Sequence, residues 1–253
     1  MSGGSEKYKN LLDKIEQLTK NDPEFKKELG KRYGINEKID EIHEFCVERI
    51  ITEQAEKFYA VFPIVEIKQQ LVDDYIRAER FKRKNNFEDF CLAVYQQVES
   101  IVNWFCSYQP FIDIYNNNKD TITTLLDKNR KPITVLNLML ANVDEKNIGE
   151  DKIEEKRNKT LMGLFFNERL KTVLYFIYFN EKPFNKYVFD IKYSEINELY
   201  QCRNLNHRGG EPTGYQENII QRIMPDKYLY YLKFSGLLVD FVEKISQNYS
   251  GDK

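Results

Sequence analysis

Histidine is almost missing from this chain: among 253 residues only His43 and His207 occur. With so few imidazoles, and with Cys46, Cys91, Cys106 and Cys202 dispersed rather than paired, the ligand set of a protein zinc site is not there. Adjacent acids such as Asp73-Asp74 and Glu154-Glu155 splay to different faces of a helix, so carboxylates do not cluster for metal-ion nuclease chemistry. Glycine is scarce, at 11 residues, and Gly209-Gly210 lacks the lysine and the preceding strand of a phosphate-binding loop. The expectation is a protein that uses no metal and no cofactor.

Charge of one sign is also lacking. Lysine and arginine number 38 against 40 aspartates and glutamates, a formal net charge of −2, so any nucleic-acid contact must come from a local patch. Long apolar runs are absent too: Thr172 to Phe179, flanked by Lys171 and Glu181, falls far short of the roughly 20 residues of a membrane span. It reads as a buried core helix, and no membrane partner is expected. The first residues, Met-Ser-Gly-Gly-Ser, lead into a charged helical pattern without a secretory apolar region. With the cysteines read as reduced core residues, the expected location is cytoplasmic.

What is present is helix. A hydrophobic content of 42%, with 14% aromatic residues, is ample for a core. Leu11, Leu12, Ile15 and Leu18 predict a short amphipathic helix that ends near Asn21-Asp22-Pro23. Ile35, Ile39, Ile42, Cys46 and Ile50 make one stripe that continues through Ala55 and Phe58 until Pro63 breaks it. His43 lies beside that stripe and reads as a packing residue. A further helix runs from Val65 to about Arg83, with Leu71, Val72, Tyr75 and Ile76 inward.

Arg77, Arg80, Lys82, Arg83 and Lys84 form the strongest positive patch in the sequence. Arg80, Arg83 and Lys84 are candidates to track an RNA backbone. The other reading is a solvated helix end whose cations suit the C-terminal dipole and pair with Asp73, Asp74 and Glu79. Asn86 then caps a helix with Asp89 at its third position, and Phe90, Val94, Val98, Ile101, Val102 and Phe105 give it an apolar face wide enough for partners on more than one side.

Pro110 ends or kinks that helix. Ile122, Leu125 and Leu126 suit a short helix, while Ile133 to Val143 fits either a helix or a buried strand. A long helix is predicted from about Ile153 to Phe179, stopped by Pro183. Tyr187, Phe189 and Ile191 alternate as a short extended piece or a packed connector. Pro225 opens the last helix, whose stripe is Tyr228, Leu232, Leu238, Val239, Val242 and Ile245. The fold class is all-α, with a seam near Lys84 to Asn86 that separates an N-terminal helical regulatory or binding region, 1–86, from a helical domain, 87–253.

One stretch looks built for chemistry: Leu199-Tyr200-Gln201-Cys202-Arg203-Asn204-Leu205-Asn206-His207-Arg208-Gly209-Gly210. Ser194 is the predicted N-cap of its helix, Ile196, Leu199 and Tyr200 give the apolar stripe, and the glycine pair supplies a stop. Arg203 and His207 are four apart and so project from one helical face. A guanidinium forks onto phosphate oxygens, and an imidazole gives and takes protons near neutrality. Together they suit metal-free attack of a ribose 2′-hydroxyl on its neighbouring phosphodiester. The bland alternative is a helix end dressed with basic residues, a device worth roughly 0.3–1 kcal/mol.

Arg203-Asn204 followed by His207 resembles the signature of the HEPN superfamily, helical domains that include metal-independent ribonucleases of toxin, phage-defence and CRISPR-associated systems. There the arginine precedes the histidine by four to six intervening residues; here three intervene. Phe90 to Trp104 is similar to an early core helix of that family, in which an acidic residue faces the active site, and Glu99 is the matching position. The resemblance implies a HEPN-like helical bundle carrying an additional N-terminal helical region, and an endoribonuclease acting on single-stranded RNA. By the same resemblance the site is composite, shared across a homodimer or a larger even assembly, with no DNA partner. Arg203 would bind the phosphate, His207 transfer protons, Asn204 orient the pair and Glu99 position Arg203, with Arg208 a further substrate contact. A second function class stays open: a non-catalytic scaffold or accessory subunit of the same fold, acting through oligomerisation and partner binding.

Overall fold

The computed structural model describes residues 36–126, 132–140, 150–179, 185–204 and 214–249, together with residues 9–10, 13–15, 17–18, 20–25 and 27–28. The fold is all-α, and the described residues include one small antiparallel hairpin. Two compact units divide between Phe58 and Tyr59. The seam expected at 84–86 is instead a tight turn inside the second unit, where Asn85 takes a left-handed φ of 55°. Asparagine tolerates that conformation better than most side chains, so a reversal fits there without a glycine.

In the first unit, helix α1 spans Asn36–Phe58. Ile51 and Ala55 are buried, whereas Ile42, expected on the inward stripe, is exposed. The Asn21-Asp22-Pro23 break is a cap: Asp22 Oδ1 accepts from the backbone N–H groups of Glu24 and Phe25 at 3.0 and 2.9 Å.

The second unit is organised around one helix. Helix α2 spans Val65–Arg83 and α3 Phe87–Ser107. Asn86 caps α3 as its side chain chemistry predicts, accepting from Asp89 N at 3.3 Å and donating to Asp89 Oδ2 at 2.6 Å. Ala93, Val94, Tyr95, Gln97 and Val98 of α3 are all buried, a run that covers every side of a helix. Such a helix must be surrounded, and α2 packs along it: Gln70 bonds Ser100 at 3.0 Å, and Tyr59, which precedes α2, donates from its hydroxyl to Gln97 Oε1 at 2.6 Å.

Helix α4 spans Gln109–Asn118, with Pro110 in its first turn, so the proline starts a new helix after α3 has ended. Strands β1 (Ile122–Leu126) and β2 (Pro132–Thr134) follow, paired antiparallel with Ile122 opposite Thr134. The short helix expected at Ile122 to Leu126 is therefore a strand. Its base is closed by Val135 N donating to Thr121 O and Leu136 N to Lys119 O, at 3.0 and 2.8 Å. Helix α5 spans Val135–Leu140 and is mostly buried.

The single long helix expected from Ile153 to Phe179 is broken. Helix α6 spans Glu150–Arg157, a 3-10 turn Leu161–Gly163, α7 Phe166–Leu174, and a π turn Tyr175–Phe179. Two caps impose the breaks. Thr160 Oγ1 accepts from Gly163 N at 3.2 Å, and Glu168 Oε2 accepts from Phe165 N at 2.8 Å, so both turns compete with helix continuation. Within the π turn, Ile177 O accepts from the Asn248 side chain.

Helix α8 spans Lys186–Arg203, α9 Gly214–Ile223, a 3-10 turn Met224–Asp226, and α10 Lys227–Asn248. The extended piece expected around Tyr187, Phe189 and Ile191 is the first part of α8. Asn185, rather than Ser194, caps it by accepting from Val188 N at 3.2 Å. Phe87 and Phe90 of α3 meet Tyr231 of α10 edge-on at 5.2 and 4.8 Å between ring centroids, and Phe87 stacks on Phe234. Each such pair adds roughly 0.5–1.5 kcal/mol beyond area burial. The scaffold for a site on α3 is thus rigid on several sides.

Candidate functional site

Tyr95, Glu99 and Asn103 of α3 are spaced four apart and line one face. Helix α8 buries Tyr193, Ile196, Leu199 and Cys202, which leaves Tyr200 and Arg203 on its flank beside that face. Cys202 lies against Cys91 of α3, whose thiol is pushed up chiefly by burial and then by its hydrogen bond with Cys202. This packing sets where the end of α8 sits on α3.

Arg203 comes to rest beside two adjoining rings. Its Cζ is 4.8 Å from the Tyr95 ring centroid and 5.7 Å from that of Tyr200, and the two rings are themselves 5.3 Å apart. Aromatic faces hold the guanidinium plane, and the Tyr95 oxygen takes part of its N–H edge. Glu99 does not take that edge fully: Nη1 is 4.0 Å from Glu99 Oε2, the outer limit of an ion pair, with the side chains 27% and 34% exposed. A partly exposed pair of this length contributes less than about 1 kcal/mol. Arg203 Nε is buried and has no hydrogen-bond partner among the described residues.

Burial raises the Tyr95 phenol first, the Glu99 charge raises it further, and the Arg203 guanidinium lowers it in part. Tyr95 therefore stays a neutral phenol, and it serves as a ring platform whose oxygen accepts from Arg203.

The structure thus brings Arg203 and Glu99 together. Helix α8 ends at Arg203, with Asn204 as its C-cap, 8% exposed, donating its backbone N–H to Gln201 O at 3.1 Å. His207 and Arg208 lie outside the described residues. Arg80, Arg83 and Lys84 are exposed at the end of α2. They adjoin the start of α3, and Phe87 to Glu99 is about 18 Å of helix axis, so they form a separate surface patch.

The site also holds residues that sequence reasoning missed. Phe166 of α7 lies 5.5 Å from Tyr95, centroid to centroid. Arg169, one turn along α7, donates from Nη1 to Asn103 Oδ1 at 2.8 Å. The available signal was the four-residue repeat Tyr95, Glu99, Asn103 along α3. Nothing local pointed to Arg169, because its role depends on α7 crossing α3.

Among the described residues no group of three or more histidine, cysteine or acidic side chains is placed to hold a metal ion, and no helix is long and apolar enough to cross a membrane. No family model matches the chain, no curated protein matches it, and no solved structure matches it.

Proposed function

We propose that this protein is a metal-independent endoribonuclease of HEPN type that cleaves single-stranded RNA with Arg203 and His207, in bacterial defence or toxin action. The observation that carries the reading is the state of Arg203: a permanent cation, 27% exposed, packed beside the Tyr95 and Tyr200 rings, with the nearest carboxylate among the described residues 4.0 Å away. A guanidinium so held is pre-set for a phosphate, and pre-set donors lower the barrier because they need no reorganisation as charge develops. Arg203 stabilises the phosphorane-like charge, His207 moves the proton of the attacking 2′-hydroxyl and that of the leaving oxygen, and Asn204, buried beside Arg203, orients the pair. Glu99 limits the swing of Arg203. The product is a 2′,3′-cyclic phosphate, and the complete site draws an arginine and a histidine from each of two copies.

The test is cleavage of single-stranded RNA by the purified chain, by Arg203→Ala and by His207→Ala, each with and without chelator. Activity that either substitution abolishes and chelator leaves intact is the expected result; activity that survives both substitutions, or that chelator removes, overturns the mechanism. A non-catalytic assembly subunit is favoured by a different observation, the exposed Tyr228, Leu229 and Leu232 on α10. That reading expects a stable oligomer, no RNA turnover and partner binding indifferent to His207→Ala.

A further inference from the structure

Arg169 reproduces the circumstances of Arg203 one helical turn away. It donates to the neutral amide of Asn103 and lies 3.5 Å from Met162 Sδ, and its Cζ is 5.6 Å from the Phe166 ring centroid. Among the described residues it has no carboxylate partner, and its Nε, like that of Arg203, is buried without a hydrogen-bond partner. The acid nearest in sequence, Glu168, is committed to Lys156 at 2.9 Å and to the cap at Phe165 N. A chain of rings joins the two arginines: Arg169 over Phe166, Phe166 against Tyr95, Tyr95 under Arg203. Their anchors on α3, Asn103 and Glu99, are one turn apart, about 6 Å along the axis. Among the described residues, these two cations face only the loose carboxylate of Glu99.

We infer that Arg169 is a second phosphate-binding residue, which holds the phosphodiester next to the one Arg203 grips on the same single RNA strand. The inference rests on the ribonuclease reading of the site. Like-charged guanidinium groups on one face repel until an anion lies between or beside them, and a polyphosphate strand supplies anions at short, regular steps. The surroundings suit a strand more than a small anion. Phe165, with the Lys156 ammonium 3.9 Å from its ring centroid, is 70% exposed and Met162 47% exposed beside Arg169, an apolar edge with a cation alongside that suits an unstacked base and its phosphate. Arg169 positions substrate; it is not placed to touch the reacting atoms.

The experiment measures binding of a fluorescein-labelled single-stranded oligoribonucleotide by anisotropy across a salt series, with the 253-residue chain carrying His207→Ala to prevent turnover. Adding Arg169→Gln, which keeps a donor for Asn103, is expected to weaken binding about tenfold and to reduce the slope of log affinity against log salt by about 0.7, one phosphate contact on a single strand. Adding Arg169→Lys instead retains most of the slope. In the catalytic background Arg169→Gln raises KM and leaves kcat within about twofold, the pattern of lost uniform binding. Should Arg169→Gln fail to fold, the unsubstituted chain answers: RNA shields Arg169 from phenylglyoxal, read by peptide mass spectrometry. Unchanged affinity and slope in a folded variant, or no shielding, overturns the inference while Arg203-dependent cleavage leaves the ribonuclease reading standing. A chain that neither binds nor cleaves RNA overturns both.

Discussion

Two arginines brought to α3 by different helices show what commitment does to a side chain. Arg77 of α2 donates to Asp74 Oδ1 at 2.6 Å and to Gln96 Oε1, and Asp74 is 7% exposed, so the guanidinium is spent on a carboxylate that needs it. Arg203 has a carboxylate at 4.0 Å, two ring faces and a buried Nε left over. Both residues are basic, in the C-terminal half of a helix and packed on the same partner. The difference teaches that an arginine belongs to the fold when removing it strands a buried charge, and to a ligand when removing it strands nothing.

The sharpest way to break the comparison is to truncate each residue. Arg203→Ala is expected to lower kcat for RNA cleavage by about 10²- to 10³-fold, as loss of a transition-state donor does. Its thermal midpoint should stay close to the parent value, measured by circular dichroism. Arg77→Ala is expected to do the reverse, preserving kcat and lowering stability by about 2 kcal/mol in urea titration, because it leaves Asp74 without its cation. An unstable Arg203→Ala that retains kcat would dissolve the distinction.

The Arg77→Ala deficit should also depend on pH. Burial raises the Asp74 pKa, and Arg77 opposes that rise. A carboxyl whose folded pKa lies above its unfolded value adds stability that is complete below the unfolded value and is lost as pH rises through the folded one. Without Arg77 the folded value climbs further. The deficit is therefore expected to be small below about pH 4 and to grow toward neutrality; a deficit independent of pH would show that lost packing, not the stranded charge, is responsible.

A smaller effect concerns Glu99. If the loose pair only limits the motion of Arg203, Glu99→Gln should reduce kcat/KM by less than about tenfold and leave stability within about 0.5 kcal/mol. A loss as large as that of Arg203→Ala would make Glu99 a direct participant.

Lys171 supplies the smallest expected change and a control of opposite sign. It is buried, and its pKa is lowered first by burial, with Glu168 and Asp190 opposing. A lysine with a depressed folded pKa destabilises the charged fold, so stability rises as pH climbs from that folded value toward the unfolded one. Lys171→Met is expected to gain up to about 1 kcal/mol at neutral pH. Its advantage should shrink in alkali; no such convergence in melts at rising pH would argue that Lys171 gains more from its place over the Tyr193 ring than it loses to burial.

Long periodic segments were legible from residues alone: α2, α3 and the Asn86 cap follow from apolar spacing and one side-chain oxygen. The short elements were not. The β1–β2 hairpin depends on pairing across a loop, and the break before α7 is made by Thr160 and Glu168, whose back-bonds do not alter hydrophobic periodicity. Helix α8 begins at Asn185 because a cap there outweighs the alternation of Tyr187, Phe189 and Ile191, which by itself resembles a strand. In the site, the motif pointed to Arg203 and Glu99, which the fold brings within 4.0 Å. Tyr95, Tyr200, Phe166 and Arg169 converge only through the crossing of α7 and α8 over α3, and no local pattern encodes a crossing.

The amide of Gln97, 0% exposed and answered by the Tyr59 hydroxyl, has a consequence for this face of α3. An apolar helix can slide in its socket by a turn and still bury its surface; one that carries a single interior amide cannot, because any other setting orphans two polar groups at roughly 1–3 kcal/mol each. Gln97 thus acts as an index pin. Glu99 lies two residues beyond it and Tyr95 two before, so the pin that sets the axial position of the helix also calibrates the height at which a phosphate would be met.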